Sequence, residues 1–331
     1  MYTEFYKLRA KPFQLSPDPG FFFESRGHKR AMAYLRYGLS LGEGFIVITG
    51  EVGAGKTTLV RNLFRALEQE RGKIVSSQLV STQLEADDLL KTVAAGFGIE
   101  ETEGSKAQLL NKLEKFLRHC SSEGKRALLV VDEAQNLAPN AVEELRMLSN
   151  FQLDDRPLLQ SFLLGQPEFR LTLQGEGMLQ LRQRIIASYH LGPLDETETK
   201  SYIEHRLTLA GWEGDPSFNE EAFKIIHQST AGIPRRINKL CDRILLFGFL
   251  EGLREFDADL VKTVITDIDS EFAHVPELKQ KKAIIQASDD DAVSRIERKV
   301  ESIEKTINRL LTVIIRKVLV QPAEKRQREK S

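Results

Sequence analysis

Gly50-Glu51-Val52-Gly53-Ala54-Gly55-Lys56-Thr57-Thr58 fits the phosphate-binding pattern G-x-x-x-x-G-K-[ST] and follows directly on the apolar run Phe45-Ile46-Val47-Ile48-Thr49. The run predicts a buried strand. A glycine-rich turn between a strand and a helix aims successive backbone N–H groups at one point, where the helix dipole adds partial positive charge. Gly50, Gly53, Ala54, Gly55, Lys56, Thr57 and Thr58 therefore form the expected cradle for phosphate oxygens. Within it Lys56 would reach the β and γ phosphates and the Thr57 hydroxyl would take a place on Mg²⁺. The chain is expected to bind a nucleoside triphosphate together with Mg²⁺.

A second segment, Arg126-Ala127-Leu128-Leu129-Val130-Val131-Asp132-Glu133, reads as another buried strand ending in two acids. Parallel strands deliver ligands at their carboxyl ends. There Asp132 would hold Mg²⁺ through water, and Glu133 would orient and polarise the attacking water as general base. Three further candidates surround this pair. Gln166 follows the apolar strand Leu159–Leu164 and Gly165; its amide could bond the γ-phosphate, or it could cap the helix starting at Pro167. In Leu181-Arg182-Gln183-Arg184-Ile185, Arg184, with Arg182 second, could project into a neighbouring subunit as an arginine finger. In Gly232-Ile233-Pro234-Arg235-Arg236, proline suits a helix start, and Arg235, or Arg236 beside it, could contact the γ-phosphate from a second domain.

Strand and helix patterns alternate outward from the loop. Strands are expected at 45–49, 74–79, 127–131 and 159–164, with helices near 56–69, 85–97, 106–119, 140–149 and 167–174. This is an α/β domain with a mostly parallel sheet, covering 45–192. After Pro193 only helices are expected, at 196–210, 219–229, 234–251 and 257–268, so 193–270 reads as a helical lid. Residues 1–44 form an aromatic arm and a leading helix over His28–Leu41; Phe5, Tyr6, Phe13 and Phe21–Phe23 either pack on the body or touch the nucleotide. Residues 271–291, with Asp289-Asp290-Asp291, read as a linker. Over 292–320, Val293, Ile296, Val300, Ile303, Ile307, Leu310 and Ile314 alternate by threes and fours, the pattern of a coiled coil or of a helix folded back on its own body. The charged tail 321–331 reads as disordered.

Composition narrows the class. With 331 residues, 41% hydrophobic and 29% charged, the chain can bury a sizeable core. Its 47 basic and 48 acidic side chains leave a net charge of −1, which argues against a nucleic-acid partner without excluding one. Cys120 and Cys241 are too few for a disulfide framework or a zinc site and fit a reducing cytoplasm. No signal peptide is evident, and the Leu310–Val320 run is too short and too charged to span a membrane.

Taken together, several segments resemble the AAA+ ATPases of the general-secretion ExeA/GspA type, and within them the secretion ATPase associated with exosortase (PEP-CTERM/XrtA) loci. They are Lys11-Pro12-Phe13 with Pro17-Asp18-Pro19, Gly44–Glu51, Asp132–Leu137, Glu144–Asn150, Leu164–Glu168, Leu181–Arg184 and Gly232–Asn238, spread over about residues 1–270. The resemblance implies a P-loop AAA+ core with a helical lid and an ATPase that assembles with copies of itself into rings or arcs. It also implies a cytoplasmic place, peripheral to the inner membrane through partners that export polysaccharide or sorted envelope proteins. Longer ExeA-like members continue into a membrane span and a peptidoglycan-binding domain; here the heptad segment stands instead, which favours a soluble partner. Two other readings stay open: a nucleotide-dependent DNA-binding regulator of the transposition-ATPase type, and a scaffold that binds ATP with little hydrolysis. Glu133 argues against the scaffold.

Overall fold

The apolar runs that flank the glycine-rich loop build a sheet. The structure, a computed structural model, describes residues 2–16, 18–68, 72–80, 84–100, 104–175 and 177–273. Its main sheet comprises β1 (Phe45–Gly50), β2 (Ile74–Val80), β3 (Arg126–Asp132), β4 (Leu159–Gly165) and β5 (Ile185–Leu191). The spatial order is β2-β3-β4-β1-β5, and every ladder in it is parallel. The four expected strands are present to within one residue at either end. The register pairs Thr49 with Gly165 and Val131 with Leu163. The carboxyl ends of β1, β4 and β3 therefore lie side by side, where an open parallel sheet offers its ligand crevice.

Alternation along each strand divides the core in two. Phe45, Val47, Leu129, Val131 and Leu163 face one side with α3 (Ala86–Gly96), α4 (Lys106–Ser122) and α5 (Pro139–Leu148). On the other side Ile46, Ile48, Leu128, Val130, Phe162 and Leu164 face α1 (Arg26–Leu41) and α2 (Lys56–Glu68). β1 and β4 are buried along their whole length, which accounts for their continuous apolar runs. The helices start where their sequences supply caps. Ser25 Oγ accepts from the His28 N–H at the start of α1, and Ser105 with Gln108 forms a capping box at α4.

α6 (Glu168–Gln174) lies between β4 and β5, and beyond β5 come α7 (Glu196–Leu209), α8 (Glu220–Thr230), α9 (Pro234–Leu250) and α10 (Ala258–Ala273). The helical segment is not helix alone: Ser217–Phe218 and Glu255–Phe256 form a short parallel pair. Phe218 and Phe256 meet edge to face at 4.9 Å, so this pair is held by its aromatic side chains. α10 runs on to Ala273 and takes in the first three residues of the segment expected to be a linker. A hairpin pairing Gln152–Leu153 with Arg156–Pro157 turns through Asp154 and Asp155, both at positive φ, a turn conformation that Asp tolerates.

The arm contains two single turns, Tyr2–Phe5 and Pro19–Phe21, and resolves into two parts. Its first part packs on the helical segment: Tyr6 and Phe13 are buried, the Tyr6 hydroxyl donates to the Leu253 carbonyl, and the Tyr2 hydroxyl donates to Asp242. Its second part lines the cleft described below. Residues 1–265 form one compact unit. Of the second unit, residues 266–331, the described part is the end of α10. The expected heptad helix over 292–320 and tail over 321–331 lie outside the described residues.

Candidate functional site

The loop after β1 takes a shape that only glycine accepts readily. Gly53 and Gly55 hold φ of 85° and 99°. Space is as restrictive as conformation: a Cβ on Gly55 would stand 2.6 Å from His28 Nε2, and one on Gly53 would stand 2.3 Å from Arg235 Cβ. Lys56, buried at 5% exposure, folds over the loop and donates from Nζ to the Gly50 carbonyl at 2.6 Å and the Glu51 carbonyl at 3.0 Å. Burial lowers its pKa, and the nearby charges of Glu133, Asp132, Glu51 and Glu168 oppose that shift. With two carbonyls as its only fixed partners there, the ammonium can transfer to phosphate oxygens at little cost.

β3 supplies the acids. The Thr57 hydroxyl donates to Asp132 Oδ2 at 2.8 Å, and the Glu133 N–H donates to Asp132 Oδ1 at 3.0 Å. Cis oxygens around an octahedral Mg²⁺, each about 2.0–2.1 Å from the metal, lie roughly 2.9 Å apart. The Thr57 and Asp132 oxygens therefore fit such an ion, directly or through a water. Among the described residues no group of three or more His, Cys, Asp or Glu could hold a metal alone, so phosphate oxygens and water would complete its shell.

Glu133 turns out of the strand in the left-handed region, φ 54°. Its Oε2 accepts from two amides, Gln135 Nε2 at 2.7 Å and Gln166 Nε2 at 3.3 Å. Gln135 Oε1 in turn accepts from the Gln166 N–H at 2.9 Å. Of the two readings of Gln166, the structure shows its side chain on Glu133, while α6 starts with no side-chain cap.

These groups border a cleft of 290 Å³, about the size at which small-molecule pockets begin. Lys56, Thr57, Thr58, Glu133 and Arg235 line one part of it, and Gln14–Ser16, Asp18 and Phe21–Phe23 of the arm, with Tyr202, Arg206 and Asn238, line the other. The second half of the arm thus meets the cleft rather than only the core. Arg206 is nearly buried; its Nε donates to the Pro12 carbonyl, its Nη1 donates to the Tyr202 hydroxyl, and its guanidinium lies 5.1 Å from the Phe21 ring centroid. Its Nη2 is buried without a hydrogen-bond partner. The Tyr202 hydroxyl also donates to Asn238 Oδ1 at 2.8 Å. His28 lies beneath the loop with Nδ1 2.7 Å from Ser25 Oγ, and burial pushes its pKa down to about 4.

His28, Gln135, Tyr202, Arg206 and Asn238 were not among the expected site residues. The local pattern carried one signal for them, a polar residue inside an otherwise apolar helix face at Arg206 and Asn238; the rest depends on contacts far apart in sequence.

Arg235 lines the cleft. Its backbone N–H donates to the Gly53 carbonyl at 3.3 Å, so the start of α9 rests on the phosphate loop. Arg236 does not line the cleft. Neither finger candidate does so either. Arg184 Nη1 donates to the Ser149 carbonyl at 2.9 Å and to its hydroxyl at 2.8 Å, whereas Arg182 is exposed and donates to the Gln174 carbonyl. No helix among the described residues is long and apolar enough to cross a membrane.

Comparison with known proteins agrees with this geometry. Residues 40–173 match the AAA domain family. The chain is similar to General secretion pathway protein A of Aeromonas hydrophila, 39% identical over 253 residues that cover 76% of this chain and 46% of that protein. It is also similar to the ATP-dependent target DNA activator B of Escherichia phage Mu, 30% identical over 132 residues, 40% of this chain and 39% of that protein. The chain thus spans less than half the length of the curated relatives it matches. Among solved structures, the Aeropyrum pernix ORC2 protein in ADPNP-ADP complexes superposes with a TM-score of 0.56 at 19% identity, covering 72% of this chain and 66% of that one. The fold is that of the AAA-type P-loop proteins, a parallel α/β core followed by helices.

Proposed function

We propose that this protein binds ATP with Mg²⁺ and hydrolyses it, as an AAA+ ATPase whose lid and neighbouring copies respond to the nucleotide. One observation carries the reading: Lys56, Thr57, Glu133 and Arg235 line one cleft at the adjoining ends of β1, β3 and β4, with Asp132 bonded to Thr57 and Gln166 bonded to Glu133. Lys56 leaves the Gly50 and Glu51 carbonyls for the phosphates, joined by the N–H groups of the loop and of the first turn of α2. Thr57 and Asp132 would hold Mg²⁺, which would supply neutralisation of phosphate charge when bound. Glu133 takes the proton of the attacking water, and Gln166 shifts from Glu133 to the γ-phosphate. Arg235, in the first turn of α9, reports occupancy to the lid.

We assign the core to 45–192, the lid to 193–270 and the arm with its leading helix to 1–44. Assembly with further copies into a ring or arc would place Arg184 or Arg182 at a neighbour's nucleotide. Similarity to General secretion pathway protein A supports service to a secretion system; we further propose polysaccharide-export or exosortase components as partners and a cytoplasmic position against the inner membrane. The similarity to the phage activator favours a second reading, an ATP-dependent regulator that binds DNA.

Titration with Mg·ATP and measurement of phosphate release separate these outcomes. Lys56→Ala should abolish binding, and Glu133→Gln should bind ATP without turnover; unaltered behaviour of either variant would remove the proposed site. Retention of duplex DNA by the Glu133→Gln protein in ATP would favour the regulator, while capture of secretion components under the same conditions would favour the first reading. A wild-type protein that binds ATP and releases no phosphate would be a scaffold.

A further inference from the structure

We infer that Gln135 is the positioning residue that sets the carboxylate of Glu133 to take the proton of the attacking water and joins it to Gln166. The inference rests on the ATPase reading above. Gln135 sits in the single helical turn Ala134–Asn136 that follows β3. Its amide spans two groups of opposite kind. Oε1 accepts from the Gln166 N–H at 2.9 Å, and Nε2 donates to Glu133 Oε2 at 2.7 Å. A backbone N–H can only donate and a carboxylate can only accept, so the chemistry of its partners sets which way the amide points.

The bond lengths rank the two holds on Glu133. Gln135 is short and charge-assisted at 2.7 Å, whereas Gln166 is long at 3.3 Å. A γ-phosphate can therefore draw the Gln166 side chain away while Gln135 keeps the carboxylate in place. Both amides bond the same oxygen, Oε2, and Glu133 lines the cleft. This leaves the lone pairs of Oε1 for the water. The backbone link matters as well: Gln135 is anchored at its other end by the Gln166 N–H, a main-chain donor that stays in place when the Gln166 side chain turns toward phosphate. One amide thus links the residue that would sense the phosphate to the residue that would take the proton.

The test compares wild type, Gln135→Met, Gln135→Glu and Glu133→Gln, measuring ATP affinity by titration and steady-state hydrolysis. Methionine keeps the length and removes the hydrogen bonds to Glu133 and Gln166. Gln135→Met should bind Mg·ATP with wild-type affinity and lose about 10–100-fold in kcat, the size of effect that misplacing a catalytic group brings. Gln135→Glu keeps an acceptor for the Gln166 N–H but replaces the donor to Glu133 by an acceptor, so it should lose kcat likewise with ATP affinity kept. A purely structural role would lower ATP affinity together with kcat. In the Glu133→Gln background, Gln135→Met should have no further effect on turnover.

Two sets of results would overturn the inference by itself: wild-type kcat in Gln135→Met, or a loss of ATP affinity as large as the loss of kcat, each with Glu133→Gln inactive. If Gln135→Met fails to fold, Gln135→Glu decides, and wild-type kcat in that variant counts against the role. Failure of the ATPase reading looks different, because wild type and Glu133→Gln would then release phosphate alike or not at all.

Discussion

Replacing Gly53 by alanine tests whether the lid rests on the phosphate loop. At φ of 85° an L side chain costs roughly 1–2 kcal/mol, since its Cβ crowds the following carbonyl. The new Cβ would also stand 2.3 Å from Arg235 Cβ. Carbon atoms in good contact sit about 3.5–4.0 Å apart, so the loop and the start of α9 must separate by roughly 1 Å or more. The Arg235 N–H to Gly53 carbonyl bond, already 3.3 Å, would not survive that movement. A hydrogen bond contributes about 0.5–1.5 kcal/mol net, which brings the expected loss to roughly 2–3 kcal/mol. For a domain of this size that lowers Tm by roughly 4–12 °C. Melting without nucleotide would read the loss, and Mg·ATP titration would show weakened binding. Arg235→Gly removes the opposing Cβ, so the double variant should be more stable than the sum of the singles by at least about 0.5 kcal/mol. Additive singles, or a Gly53→Ala protein that melts like wild type, would refute the contact.

His28 should make stability depend on pH. Its imidazole is held at about 4 by burial, with the Glu198 charge and the Ala54 carbonyl working against that, whereas an unfolded histidine titrates near 6.5. The unfolded chain therefore binds the proton first. The contribution, roughly 3 kcal/mol, is fully present above about pH 6.5 and is lost as pH falls toward 4. His28→Gln should flatten urea stability across that window, and an unchanged slope would show that the imidazole is not kept neutral. Arg184→Ala should lose hydrolysis alone and regain part of it when mixed with Lys56→Ala if the finger acts between copies; no rescue would leave Arg184 as a brace for Ser149, and Arg182→Ala would then be the next finger to test. Phe162→Ala, at the centre of the sheet, should destabilise by about 3–5 kcal/mol in denaturant, and a smaller loss would mean that the core collapses around it.

The sheet was legible because its evidence is local. β1, β3 and β4 are buried on both faces, so their sequences are nearly unbroken apolar runs, and the loop and the acid pair stand at their ends. Elements held by a few long-range contacts were not legible. The Ser217–Phe218 and Glu255–Phe256 pair depends on two phenylalanines 38 residues apart meeting at 4.9 Å, and neither dipeptide has a strand pattern of its own. Gln135 was quoted only as part of a motif, because nothing in Asp132-Glu133-Ala134-Gln135 says which neighbour its amide reaches. That neighbour is Gln166, 31 residues on, brought alongside by the parallel register of β3 and β4.

The same reasoning explains the arm. Its aromatic residues looked like packing residues, and Tyr6 and Phe13 are; yet Phe21 covers the Arg206 guanidinium at the edge of the cleft. The two roles separate at the Pro12 carbonyl, which accepts from Arg206 Nε at 2.6 Å. A charged group this deeply buried holds its position only while its partners do, and one of its nitrogens has none. Arg206 therefore ties the arm to α7 at the cost of an unsatisfied donor beside the cleft. Removing it should loosen the arm and the lid together, whereas removing Phe21 should loosen the arm alone. Limited proteolysis of Arg206→Met and Phe21→Ala would distinguish the two, and identical cleavage in both variants would show that the guanidinium does not join them.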